Sequence, residues 1–174
     1  MNRWIWNRAF LHAYRFAPHA LVNRTFARMA RLARPRPLGR WAIAALGGDP
    51  DEGHPTLEDW FLRRLPEEAR PMEGGFVSPV DGRLVSAGPI HAGTILQVKG
   101  REIAVDRLLG ESAAAFEGGH HVNLFLDPRG YHHVHMPVCG RVEAVRWLPG
   151  RFFPQNEAAL RHLGKVYERN ERAV

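Results

Sequence analysis

Cysteine is almost missing: Cys139 is the only one in 174 residues, so no disulfide can form within the chain. Stability must come from a buried core, and the length suffices for one domain with a helical appendage. A reducing compartment is expected. Lysine is nearly as scarce, two against 22 arginines, an imbalance that reads as genome composition. Acid is wholly lacking from residues 1–40, which carry nine arginines. The other 134 residues hold 15 basic and 18 acidic ones, a net of −3. The overall +6 is therefore a basic arm on a mildly acidic body. Long apolar runs are lacking too. Arg3, Arg8 and Arg15 interrupt every candidate, which excludes a secretory signal and a membrane span of about 20 residues. The arm has no serine, which speaks against a mitochondrial transit peptide. No glycine-rich phosphate cradle occurs, so nucleotide binding has no support.

What is present begins with amphipathic helices. Met1 to Ala17 winds with Ile5, Trp6, Ala9, Phe10, Ala13 and Phe16 on one face and Arg8, His12 and Arg15 opposite. Pro18 restarts it. The next pattern puts Leu21, Val22, Phe26, Met29 and Leu32 against Asn23, Arg24, Arg28, Arg31 and Arg34, ended by Pro35 and Pro37. Such helices either pack on their own domain with arginines in water or lie flat on an anionic bilayer. Trp4, Trp6 and Phe10, with Arg8 and Arg15, are the candidate membrane contacts, on the cytoplasmic face. N-terminal tryptophan suits a membrane interface better than nucleic acid. Leu38 to Leu46 reads as a third short helix stopped by Gly47-Gly48. Thr56 reads as the N-cap of a helix over Leu57 to Leu65.

From Gly74 short apolar runs alternate with Gly and Pro: Phe76-Val77, Arg83 to Ala87, Thr94 to Lys99, Glu102 to Val105, Val122 to Leu126, His132 to His135 and Arg141 to Leu148. These predict strands of an antiparallel barrel or sandwich. One helical turn is expected at Asp106 to Leu109 and a helix at Asn156 to Leu163, with Val166 to Val174 heading toward a strand. The fold class is thus α+β. Residues 1–48 form a basic helical membrane-interface region, 49–73 a linker with a short helix, and 74–174 a β-rich catalytic domain.

Tyr131-His132-His133-Val134-His135 concentrates imidazoles. On a strand, His133 and His135 share one face and His132 takes the other. Two chemistries stay open. Asp81, in Ser78-Pro79-Val80-Asp81-Gly82, either marks a turn or orients a histidine base. Alternatively His133 and His135 bind zinc with a third ligand from His120, His121 or Asp81, as in a zinc hydrolase.

Several segments occur in a family order. They are Phe76-Val77-Ser78-Pro79-Val80-Asp81-Gly82, Ile95-Leu96-Gln97-Val98-Lys99-Gly100, Phe116-Glu117-Gly118-Gly119, Leu126 to Pro137, Leu148-Pro149-Gly150 and Arg169-Asn170-Glu171-Arg172. From about residue 56 onward the chain resembles phosphatidylserine decarboxylase, and Thr56 to Met72 resembles the segment before the barrel in bacterial members. The resemblance implies a proenzyme that cuts itself at a Gly-Ser site and turns the serine into a pyruvoyl cofactor. It implies that His135 is the base for that step and that Asp81 holds its tautomer. His132 would serve decarboxylation of phosphatidylserine to phosphatidylethanolamine, through a Schiff base on the pyruvoyl carbonyl. The implied partners are an anionic phosphatidylserine-bearing membrane and a C-terminal α-subunit segment; a homodimer stays open. Gly130 stands where an acid is usual, and His133 where arginine is usual. Ser78, Ser86 and Ser112 do not follow glycine, so the pyruvoyl-forming serine is not among these residues. The resemblance then implies a β domain incomplete at its C-terminus, with open edges. It further implies inactivity of the chain alone. A non-enzymatic membrane-binding relative is the remaining alternative.

Overall fold

A computed structural model describes residues 8–32, 37–71, 74–97 and 101–174. They pack as two units, one of residues 1–24, 85–123 and 143–174, the other of residues 25–84 and 124–142. In chain order the elements are α1 (Arg8–Tyr14), α2 (His19–Leu32), α3 (Pro37–Ala45), α4 (Leu57–Phe61), β1 (Arg83–Pro89), β2 (Thr94–Gln97) and β3 (Arg101–Ala104). There follow α5 (Val105–Leu109), β4 (His120–Phe125), β5 (Trp147–Leu148), α6 (Glu157–His162), α7 (Val166–Arg169) and β6 (Arg172–Ala173). Helices and small sheets are mixed, as expected. The described strands form three two-stranded sheets, β1-β4, β2-β3 and β5-β6, without closing a barrel.

In the first unit, Leu11 of α1 is fully buried among Phe153, Ala159, Leu163 and Val166, with Tyr14 packed beside them. Of the α1 side chains whose burial is described, Leu11 is buried and Tyr14 half-buried; Phe16, assigned to the apolar face, is 83% exposed. The β2-β3 hairpin sets Ile95 opposite Ile103. Both join Ile90, Val105 and Ala113 in a second core. The hairpin's approach is held by Glu117, whose carboxylate accepts the N–H groups of Ala92 (2.8 Å) and Gly93 (2.9 Å). Those donors hold its carboxyl below the ordinary glutamate value. Asn170 brackets Phe153, its Oδ1 accepting the Phe153 N–H and its Nδ2 donating to the Phe153 carbonyl, both at 2.8 Å. The Arg172 guanidinium donates to four carbonyls, those of Arg107, Leu108, Glu168 and Asn170, and so caps the C-terminal ends of α5 and α7.

Gly150 lies against that bracket. A Cβ there would sit 2.6 Å from the Arg169 carbonyl oxygen and closer still to Asn170 C and Glu171 N, all backbone. Backbone cannot swing aside as a side chain can. Gly150→Ala is expected to destabilise the chain by about 2–3 kcal/mol, read as a fall in thermal midpoint. An unchanged midpoint would contradict this close approach.

In the second unit, Ile43, Leu57 and Trp60 form the core. Thr56 caps α4 as expected: its Oγ1 accepts the Asp59 N–H at 3.0 Å. α4 stops at Phe61, short of Leu65. Gly47, at φ +85°, lets α3 end, and the Gly48 N–H donates to the Ile43 carbonyl at 2.9 Å. A Cβ on Gly48 would come within 2.8 Å of Trp60 Nε1, so the glycine lets the indole seat.

Two expected strands are not strands. Phe76-Val77 and His132 to His135 have no ladder assignment, and only Trp147-Leu148 of the Arg141 to Leu148 run does. The cause in the first two is proline. The Val77 N–H donates to the Pro137 carbonyl (2.9 Å) and the His135 N–H to the Pro79 carbonyl (2.8 Å), an antiparallel register. Each hydrogen-bonded pair should exchange two bonds. The missing donors belong to Pro137 and Pro79, which have none. Val166 to Val174 begins as helix α7 and reaches strand only at Arg172. Lys99 lies outside the described residues.

Candidate active site

That half-bonded pairing builds a site in the second unit, because it brings the segment carrying Asp81 beside the one carrying His135. A turn supplies the second segment: the Gly130 N–H donates to the Asp127 carbonyl (2.8 Å) and the Arg129 N–H to Asp127 Oδ1 (3.0 Å). Pro128 inside this turn suits its position. The Arg129 guanidinium also holds the Asp127 carboxyl below the ordinary aspartate range. Arg63 ties α4 to the turn through the carbonyls of Trp60 and Arg129.

The rings then divide as alternation predicts, although the ladder is missing. Tyr131 stacks on His133 (centroids 4.7 Å apart) and on His135 (5.6 Å). His132 turns instead to Phe61, stacked at 3.8 Å. Its Nε2 lies 3.0 Å from the Asp127 carbonyl oxygen. A carbonyl only accepts, so Nε2 carries a proton and Nδ1 holds the lone pair. Half-buried against Phe61, the imidazole is pushed below the ordinary histidine pKa, chiefly by desolvation, with the Asp127 and Pro128 carbonyls opposing. His132 thus takes up a proton less readily than an ordinary histidine.

Asp81 and His135 are close enough for the imidazole to help lower the Asp81 pKa. The larger cause is Arg70, whose Nε donates to Asp81 Oδ1 (3.1 Å) and Oδ2 (2.8 Å). His135 Nε2 pairs with the Tyr131 hydroxyl at 3.2 Å. The expected Asp81–His135 hydrogen bond is therefore replaced by two others, Arg70–Asp81 and Tyr131–His135. His133 donates from Nε2 to the Leu62 carbonyl at 3.0 Å, fixing α4's end to the histidine segment. Among the described residues no group of three or more His, Cys, Asp or Glu is placed to hold a metal. His120 and His121 lie on β4, and His121 Nε2 is 3.5 Å from Ser86 Oγ.

Sequence reasoning missed Arg70, Tyr131 and Phe61. Tyr131 could have been suspected, since its parity matches His133 and His135. Nothing in the spacing of Arg70 and Asp81 marks them as partners. Of the candidate membrane contacts, Trp4 and Trp6 lie outside the described residues, Arg8 and Phe10 fall in α1, and Arg15 is exposed. No described helix is long and apolar enough to cross a membrane.

Comparison with known proteins agrees with the ordered motifs. The family model described as phosphatidylserine decarboxylase matches residues 57–174. The phosphatidylserine decarboxylase proenzyme of Brevibacillus brevis is 36% identical over 169 residues, covering 90% of this chain and 60% of the relative. That of Bordetella avium is 36% identical over 185 aligned positions, covering 97% and 63%. That of Myxococcus xanthus is 33% identical over 183, covering 97% and 65%. The chain thus spans about three fifths of the length of these relatives. The match takes in the histidine segment, Asp81 and the Asn170–Arg172 bracket, and the chain belongs to the phosphatidylserine decarboxylase family.

Proposed function

We propose that this chain carries the proton-handling residues of a self-processing enzyme that converts phosphatidylserine to phosphatidylethanolamine and CO₂. The observation that carries this is the approach of an ionised Asp81 to His135 across two segments joined through Pro79 and Pro137, with His132 on the same segment as His135 but turned to Phe61. His135 takes the proton from the hydroxyl that starts self-cleavage, and the ionised Asp81 nearby stabilises the resulting imidazolium. A pyruvoyl group would supply a carbonyl able to accept the electrons released when CO₂ leaves. The residues fit such a group, because the Phe61 stack excludes water from one face of His132 and leaves the Nδ1 lone pair as the atom able to accept a proton.

The finer fold and partner readings belong here too. Phe76, Val134, Met136 and Val138 of the second unit are exposed, an apolar surface suited to cover by a companion segment that completes a barrel or sandwich. Leu21, Val22, Phe26, Met29 and Leu32, the whole apolar face of α2, are 45–82% exposed, and Arg24, Arg28 and Arg31 are exposed with them. An unburied apolar face beside arginines supports the bilayer over packing, and with it a position on the cytoplasmic membrane surface, where a lipid substrate would lie.

The test joins this chain to the portion of the Brevibacillus relative that it does not match. Mass spectrometry follows scission, and lipid analysis follows phosphatidylserine in mixed micelles. Scission followed by phosphatidylethanolamine formation is expected, with neither from the 174 residues alone. A cleaved, folded product that binds lipid without decarboxylating it would leave only a membrane-binding relative.

A further inference from the structure

The first unit contains a second polar site that the decarboxylation reading does not use. It is a cleft of about 470 Å³ lined by His19, Ala20, Leu21, Arg24, Gly150 and Arg151. α2 begins here, and it is 14 residues long with no acid in its first turn. Its first backbone bond within the turn runs from the Val22 N–H to the Pro18 carbonyl. The N–H groups of Ala20 and Leu21 donate to nothing among the described residues. Free donors at a helix start attract anions.

His19 is the second, independent observation. It is 4% exposed, wedged edge-on between Tyr14 (4.6 Å) and Phe153 (5.2 Å), and both ring nitrogens lack a hydrogen-bond partner among the described residues. Buried polar atoms are rarely left this way, so a missing acceptor is implied. The cations agree. Arg24 and Arg151 are exposed, and neither has an ion-pair partner among the described residues. The Arg151 backbone is pinned, because its N–H donates to the Arg169 carbonyl (2.8 Å) and its carbonyl accepts from the Glu171 N–H (2.9 Å). Burial pushes Arg169 below the ordinary arginine value, and the nearby Arg15 and Arg151 charges push it further. Arg15, Arg151 and Arg169 thus bring positive charge together here.

We propose that this cleft binds a phosphate group, held by the α2 N-terminus, Arg24 and Arg151, with a phosphate oxygen accepting from His19. The site is independent of the catalytic histidines, so either reading can fail without the other. Two sources share the chemistry, the phosphodiester of an anionic lipid and free phosphate.

The full chain, labelled at histidine for NMR, is titrated with inorganic phosphate. A parallel titration uses dihexanoyl phosphatidylglycerol below its micelle concentration. Saturable movement of the His19 ring resonances is expected. Tighter binding of the short-chain lipid assigns the cleft to a headgroup; equal or tighter binding of phosphate assigns it to the free ion. Arg24→Gln and Arg151→Gln should each weaken binding about tenfold. His19→Phe keeps the apolar wedge, and its weakening is read on the Ala20 and Leu21 amides. Arg64→Gln, of equal charge change elsewhere, should leave affinity unaltered. No saturable shift with either probe, or arginine variants that bind as the parent does, would overturn the proposal.

Discussion

His135→Ala is expected to stop self-cleavage of the joined proenzyme, slowing scission by at least about 10³-fold. No other described imidazole shares both the neighbourhood of Asp81 and the Tyr131 hydroxyl. The change removes the base and leaves the pairing of residues 77–79 with 135–137 intact, since that pairing uses the His135 backbone N–H. Asp81→Asn should cost far less than in a hydrogen-bonded triad. The Asp81 carboxylate is bonded to Arg70 and reaches His135 only as a charge. At a partly exposed site that coupling is worth no more than about fivefold. Scission rates from gel densitometry separate the two. A fall in Asp81→Asn as deep as in His135→Ala would mean that Asp81 leaves Arg70 for the imidazole when the hydroxyl is in place. Scission of His135→Ala at the parent rate would remove His135 from the reaction.

Local signals were legible where local physics decides. Thr56 capped α4, the α2 periodicity held over fourteen residues, and the helix expected over Asn156 to Leu163 formed as α6. Phe16 was misread as part of the α1 face because the partners that Leu11 and Tyr14 pack against, Phe153 to Val166, lie some 140 residues away. Periodicity names an apolar face but not which apolar residues find company. The histidine segment shows the reverse error. Its alternation was real, yet Pro79 and Pro137 each withheld a donor the ladder needed. A proline in one strand can be seen from the sequence; its opposite number is seen only once register is known. The same holds for the ordered motifs. Phe116-Glu117-Gly118-Gly119 and Arg169-Asn170-Glu171-Arg172 clamp backbone, through Glu117 on Ala92 and Gly93 and Asn170 on Phe153. Motif order identified the family, and only contacts could sort its structural residues from its chemical ones.

That sorting bears most on His132, where both roles fall on one ring. His132→Ala in the joined enzyme is expected to leave self-cleavage intact and lower decarboxylation by about 10²–10⁴-fold. Alanine also deletes the Phe61 stack and the bond to the Asp127 carbonyl, so lost activity alone could reflect a loosened turn. His132→Gln distinguishes the cases, because its amide can still donate to that carbonyl but cannot carry a titrating proton. If proton transfer is the role, glutamine restores thermal stability without restoring turnover; if positioning is the role, it restores both. The pH behaviour supplies an independent check. The folded pKa of His132 lies below the unfolded histidine value of about 6.5. The native chain therefore binds this proton less readily than the unfolded one. The ring's contribution to stability is complete above that value and is lost as pH falls through the folded pKa. His132→Gln should flatten that part of the stability profile. The decarboxylation rate of the parent should fall on acidification over the same range, as Nδ1 is protonated before it is needed.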